Sequence, residues 1–288
     1  ARREAILPFI MTLDIDCVTN ILATTAAEEV RPRFRALATG DVREKTAGDF
    51  VTVADETAER VLSRRLSELL PGSLVLGEEA AAEDPKVLHR LTGDSPVWVI
   101  DPVDGTGNFA RGIPTFAVML ALVQNGETRA AWIHEPLAER MTVATVGGGA
   151  WENGRQRLLL PAPPANVAAL TGTFHVNTFG TKELIRQIDK RRNRVSAIRS
   201  LRCAGAEYTR MARGEQHFSI FTKLAPWDHA PGTLILREAG GVARLTDGRA
   251  YTPLAETGVP LLLAPTEASW NALFQTMLEK HAGTGSAS

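Results

Sequence analysis

The sequence is poor in cysteine. Its 288 residues contain only Cys17 and Cys203, far apart and in no CxxC pair. A disulfide framework and a thiolate zinc or dithiol redox motif are therefore excluded, and a reducing, cytoplasmic setting is expected. Charge of either sign is also lacking in excess. The 32 basic and 33 acidic residues leave a formal charge of −1, which argues against general nucleic-acid or membrane-surface binding. No apolar run reaches the ~18 residues of a membrane span. The N-terminal apolar patch is broken by Asp14 and Asp16 and has no clear cleavage site, so no signal peptide is read there. The chain has no internal repeat, and its small, polar tail HAGTGSAS is expected to be disordered.

Apolar residues are plentiful, at 44% of the chain, enough for one large domain or two of ordinary size. The first half reads as α+β. Val30, Phe34 and Leu37 recur at helical spacing with Gly40 as a stop, and a longer helix carries Ala58, Val61, Leu62, Leu66, Leu69 and Leu70 on one face before Pro71-Gly72. From Phe116, alternating strands separated by Asn125-Gly126 and Asn153-Gly154 predict an antiparallel meander. LLLPAPPANVAAL is the best linker, dividing subdomains at 1–157 and 158–288. Beyond it, strands near 168–174, 195–199, 217–221 and 242–263 alternate with helices at 180–192, 203–213, 228–239 and 267–281, an α/β pattern.

The chemistry centres on WVIDPVDGTGNF, residues 98 to 109. An apolar strand stops at Asp101, and Asp104 follows around Pro102. Carboxylates at the carboxyl end of a buried strand stand where α/β sites form. Two that close repel, unless a hard cation such as Mg²⁺ lies between them. Gly105-Thr106 follows directly, and a helix starting there would aim free N–H groups at a phosphate. Asp-Gly is equally an ordinary turn. Other acids sit at element ends: Glu78 and Glu79 after LVLG, Asp49 and Asp55 in DFVTVAD, and Asp228 in PWDHAPG. Asp55 and Asp228 also fit plain helix N-caps. The six histidines are scattered and read as structural or surface residues.

Together, DFVTVADETAE, GEE, WVIDPVDGTGNF and PWDHAPG…REAGG resemble, in order and spacing, the signatures of the inositol monophosphatase family, the Mg²⁺-dependent, lithium-sensitive phosphomonoesterases. The resemblance runs from about residue 20 to 265. It implies a layered αβαβα sandwich and a homodimer. It also implies roles. Glu78, Asp101 and the Val103 carbonyl would bind one metal, and Asp101, Asp104 and Asp228 a second, so about two or three Mg²⁺ ions per site are expected. Gly105 and Thr106 would hold phosphate, while Thr106, Asp55 and Glu78 would orient the attacking water, with Glu79 in support. Lys45 lies near the family's lysine-bearing loop, although its spacing to Asp49 is one residue short. Asp104 and Ala204 would face the substrate, a small phosphate ester. The ions would neutralise the phosphoryl oxygens, activate water and stabilise the leaving oxygen.

The sequence departs from this pattern at the substrate. Inositol-selective members carry a Glu seven residues before the Asp matching Asp228, and here that position is Phe221. A polar contact of that kind discriminates strongly, so its loss matters. Arg202 stands where the family tends to have a small residue. It is either a surface arginine or a contact for a second anionic group. The segment 182–202 is basic and is either a solvated face or a steering patch. The substrate therefore stays open between an inositol or related polyol monophosphate, a bisphosphate (3′-phosphoadenosine 5′-phosphate or fructose 1,6-bisphosphate) and histidinol phosphate.

Overall fold

The computed structural model of the chain describes residues 13–46, 48–176, 180–255 and 257–279. The C-terminal tail and His281, singled out in the sequence, lie outside them. Helix α1 (Ile15–Thr25) starts at Asp14, whose side chain accepts the Cys17 N–H. It widens into a π turn over Ala26–Val30 and then tightens into a 3₁₀ turn over Arg31–Arg33. The helix expected through Leu37 ends early. Pro32 supplies no N–H, Phe34 is extended and Arg35 is left-handed, at φ 60°. Strands β1 (Val42–Thr46) and β2 (Asp49–Thr52) form a hairpin leading into α2 (Val53–Leu69).

The first large sheet follows: β3 (Leu74–Gly77), the short helix α3 (Glu78–Glu83), β4 (Val97–Asp104), helix α4 (Thr106–Ala110), then β5 (Ala117–Gln124), β6 (Glu127–Glu135), β7 (Arg140–Thr145), β8 (Gly149–Glu152) and β9 (Gln156–Leu158). Its seven strands lie in sequence order, with β3 and β4 parallel and the rest an antiparallel meander. The second half supplies β10 (Thr171–His175), α5 (Lys182–Arg191), β11 (Ser196–Ala197), α6 (Ala204–Ala212), β12 (Phe218–Phe221), α7 (Pro226–Glu238), β13 (Val242–Leu245), β14 (Leu261–Ala264) and α8 (Glu267–Leu273). Its sheet runs β11-β10-β12-β14-β13, parallel across the first three strands.

Five layers result, as the cores record. Val18, Leu22, Leu62 and Leu66 of α1 and α2 pack on Trp98, Ile100 and Trp132 of the larger sheet. Tyr208, Leu234 and Ile235 of α6 and α7 fill the middle, between Met119 and Ile133 on one side and Leu261 and Leu263 on the other. Ile188 of α5 and Trp270 and Leu273 of α8 cover Phe218, Ile220 and Leu262 on the far face. This is the layered αβαβα sandwich implied by the resemblance. The alternation of β10–β14 with helices puts α6 and α7 on one face and α5 and α8 on the other face of a mixed sheet. No helix among the described residues is long and apolar enough to cross a membrane.

Candidate active site

Strand β4 is buried along its whole length and pairs with β5, but the register slips between Asp101↔Met119 and Asp104↔Ala117. Pro102 lies in the slip, where it has no ladder hydrogen bond to donate. The chain then turns at Gly105, φ +85°, where an added Cβ would lie 3.1 Å from the Thr115 carbonyl and 3.2 Å from Cys203 Cβ. Both the backbone conformation and the lack of space call for glycine. The neighbouring strand β3 ends at Gly77, opposite Ile100. Glu78, the first residue of α3, therefore leaves the sheet one position from Asp101.

Helix α2 braces this edge in two ways. Thr52 and Asp55 form its capping box, so Thr52 is the N-cap and Asp55 lies one turn inside, not at the cap. Asp55 Oδ2 accepts the Thr52 N–H and hydroxyl at 2.9 and 2.6 Å, and its Oδ1 accepts the Thr106 hydroxyl at 3.0 Å. Burial pushes Asp55 up to about 6 against the pull of the Thr52 hydrogen bonds. One turn further on, Glu59 accepts the N–H groups of Glu79 and Ala80 at 2.8 and 3.0 Å. It caps α3 from another helix, a role the sequence reading missed because donor and acceptor lie twenty residues apart. From the hairpin, Lys45 reaches Glu78 at 3.1 Å and both oxygens of Glu79 at 3.0 and 3.2 Å. The weaker sequence match at Lys45 thus does bring an ammonium to these acids.

Asp104 crosses to the second half of the chain. Its Oδ1 accepts the Ala204 N–H at 3.0 Å, and its Oδ2 accepts the Gly205 N–H at 2.6 Å and the Cys203 thiol at 3.0 Å. The start of α6 is therefore docked on this carboxylate. Asn108 reinforces the junction by donating to the carbonyls of Thr115 and Leu201, each at 2.8 Å. Asp228 lies in the first turn of α7, which begins at Pro226 with Ala225 at its N-cap, so the plain N-cap reading of Asp228 fails.

The acids feel one another. Burial, then the charges of Glu78, Asp104 and Asp228, hold Asp101 well above the usual carboxylate range. Burial raises Glu78 to about 8, with Asp228 and Glu79 adding to it and Lys45 opposing. Burial raises Asp104 to about 6, with the Cys203 hydrogen bond opposing. Such a group of buried and half-buried like charges calls for a cation. The donor set, all carboxylate oxygens, suits a hard divalent ion. Asp101 Oδ1 accepts the Val103 N–H at 3.1 Å, while Oδ2 accepts no hydrogen bond among the described residues. Two features run the other way. No three His, Cys, Asp or Glu side chains among the described residues are gathered into a ready-made metal cage. The Val103 carbonyl accepts the Thr106 hydroxyl at 2.8 Å. The donors are chemically right, and Lys45 and the α6 amides share their oxygens.

The substrate-side residues are less concentrated. Ala204 presents its N–H to Asp104. Arg202 is exposed and left-handed at φ 54°, a conformation that favours glycine. Its carbonyl lies 3.3 Å from the place of a Gly105 Cβ, so its backbone borders the Gly105 turn, and its guanidinium makes no ion pair among the described residues. Phe221 is buried, stacked on His175 at 4.4 Å and Tyr208 at 5.9 Å. His175 bonds Glu207 at 2.7 Å. Neither His175 nor Glu207 stood out in the sequence, because neither belongs to a local motif.

Comparison with known proteins places the chain in a family. The sequence matches the inositol monophosphatase family over residues 14–279. A fructose-1,6-bisphosphatase/inositol-1-monophosphatase of Thermotoga maritima is 32% identical over 209 residues, 72% of this chain and 76% of that protein. An inositol-1-monophosphatase of Mycobacterium leprae is 34% identical over 262 residues, 86% of this chain and 89% of that protein. A solved IMPase structure from Thermotoga maritima, 25% identical, superposes with a TM-score of 0.72 over 91% of this chain and 98% of that one. The buried acids at the end of β4 are thus set in the layered fold of these relatives, and the chain belongs to the inositol monophosphatase family of phosphoric monoester hydrolases.

Proposed function

We propose that this enzyme hydrolyses a small phosphate monoester with Mg²⁺, at the site formed by Glu78, Asp101, Asp104 and Asp228. The observation that carries the reading is Asp101, a buried carboxylate near the end of β4, held up by burial and by the charges of Glu78, Asp104, Asp228 and Asp55. Glu78, Asp101 and the Val103 carbonyl would hold one ion, and Asp101, Asp104 and Asp228 another. When bound, the ions supply neutralising charge to the phosphoryl oxygens and lower the pKa of water.

The chain's own groups do the rest. The first N–H groups of α4, at Gly105 and Thr106, bind phosphate oxygens. The Thr106 hydroxyl sits between Asp55 Oδ1 at 3.0 Å and the Val103 carbonyl at 2.8 Å. It holds a single proton for these two acceptors, so a proton taken from the attacking water can be lodged at Asp55 Oδ1. The water oxygen bonds to phosphorus as the ester P–O bond breaks; the leaving oxygen takes a proton from solvent, giving an alcohol and inorganic phosphate, and Asp55 returns its own proton to solvent. Lys45 holds Glu78 and Glu79 together, and Glu59 fixes the turn that carries them.

Phe221 argues against a substrate chosen by its ring hydroxyls, and Arg202, whose backbone borders the Gly105 turn, is the candidate contact for a second anionic group. We read the two halves, 1–157 and 158–288, as subdomains meeting at the Asp104–α6 contact, in a lithium-sensitive, cytoplasmic homodimer. A phosphate-release panel tests the reading. Mg²⁺ should support turnover of at least one of inositol 1-phosphate, glycerol 2-phosphate, histidinol phosphate, fructose 1,6-bisphosphate and 3′-phosphoadenosine 5′-phosphate, and lithium should suppress it. No release from any of them would remove the assignment.

A further inference from the structure

The carboxyl ends of β10 and β12 carry a feature that the metal acids and the phosphate loop do not require. Phe221 is 5% exposed and lies between two rings nearly parallel to its own. The planes meet at 13° with His175 and 8° with Tyr208. His175 and Phe221 are register partners at the carboxyl ends of the parallel strands β10 and β12, so their side chains rise from one face of the sheet.

Glu207 fixes the outer ring. Its Oε2 takes His175 Nε2 at 2.7 Å and the Thr173 hydroxyl at 2.6 Å, while its Oε1 accepts the Ser200 hydroxyl and the Leu201 N–H, both at 2.9 Å. His175 Nδ1 has no hydrogen bond among the described residues, and 23% of the side chain is exposed. The result is a flat ring backed by Phe221, clamped on one edge and open on the other.

Two chains of contact tie this ring to the acids. Through Glu207 it meets Ser200 and Leu201, which lead into the turn that seats Cys203, Ala204 and Gly205 on Asp104. Through Phe221 it meets His229, edge-on at 4.7 Å, the residue after Asp228. His175 therefore stands between the Asp104 turn and the Asp228 helix.

We propose that His175 is a specificity-determining residue, a platform for a planar heteroaromatic ring on the leaving alcohol, as in a nucleoside monophosphate. Stacking on the imidazole is open to any flat ring, and Nδ1 adds one polar contact. A cyclohexane polyol has no π-face to offer, and Phe221 cannot accept its hydroxyl protons. The proposal rests on the phosphatase reading above and goes beyond it by naming the shape of the leaving group.

The test compares kcat/KM for adenosine 5′-monophosphate with that for ribose 5-phosphate, the same ester without the base. The full chain is assayed with Mg²⁺ as wild type, His175→Leu and His175→Phe. Wild type should prefer the nucleotide about tenfold, through KM. His175→Leu should bring the ratio to about one, and His175→Phe, which keeps a flat face, should retain most of the preference. Should His175→Leu fail to fold in a thermal melt, His175→Asn carries the same expectation. A wild-type ratio near one, or a preference that survives removal of the ring, overturns the proposal while leaving the phosphatase intact. If no ester is hydrolysed, it is the parent reading that fails, and calorimetric binding of adenosine decides the platform. Binding about tenfold weaker in His175→Leu supports it, and equal or absent binding overturns it.

Discussion

The Gly205 N–H donates to Asp104 Oδ2 at 2.6 Å, joining the first turn of α6 to the end of β4 across 101 residues of sequence. A side chain at 205 would crowd the contact. A Cβ at 205 would lie 3.0 Å from Met119 Sδ, 3.1 Å from Ala117 Cβ and 3.1 Å from the same Asp104 oxygen. Gly205→Ala should therefore push α6 off the carboxylate, destabilising the fold by roughly 1–3 kcal/mol and lowering kcat/KM about tenfold. A thermal melt with parallel phosphate-release kinetics checks this. An unchanged melt and unchanged kinetics would mean that the junction is not tight.

Glu59 makes a second prediction. It is buried and accepts two amides of α3. Glu59→Ala leaves those N–H groups without a partner and should cost roughly 1–3 kcal/mol in urea denaturation. Glu59→Gln keeps one acceptor oxygen and should cost less. Equal losses in the two variants would show that side-chain packing, and not the cap, is what matters.

Glu207 sets an acid limit. Burial alone would raise its pKa, but the hydrogen bond and charge of His175 and the bonds from Thr173 and Leu201 hold it down at about 2. The folded state therefore favours the carboxylate more than the unfolded chain does, whose Glu titrates near 4.5. The resulting stability, on the order of 3 kcal/mol, is present above the unfolded value and is lost as the pH falls through the folded one. Glu207→Gln should flatten the urea midpoint between about pH 4.5 and 2 relative to wild type. A parallel decline in both proteins would place the acid sensitivity elsewhere.

Much of this was legible in the sequence because it is local. Asp101, Asp104 and Gly105 fall within one short motif, and the strand-stop-acid pattern located Glu78 next to them. The helical stripe of α2 and the alternation after residue 167 match the elements found, to within a few residues. What was missed depends on pairs distant in sequence. Glu59 caps α3 through the fold, Asp104 seats α6, and His175 meets Glu207 over 32 residues. Phe221 was legible as a departure from the family, but its ring stack was not, since stacking requires the strand register. The helix expected beyond Val30 failed for a local reason: Pro32 outweighed the apolar spacing.

The most direct test of the four-acid site is phosphate release by Asp101→Asn beside wild type, with matched circular dichroism and with Mg²⁺ in excess. The variant keeps the shape and removes the charge at the centre of the cluster. Turnover of the best panel substrate should fall on the order of 10³-fold, with the fold and its melt intact. Near-normal turnover in a folded Asp101→Asn protein would contradict the account, because hydrolysis would then be proceeding without the carboxylate around which the site is built.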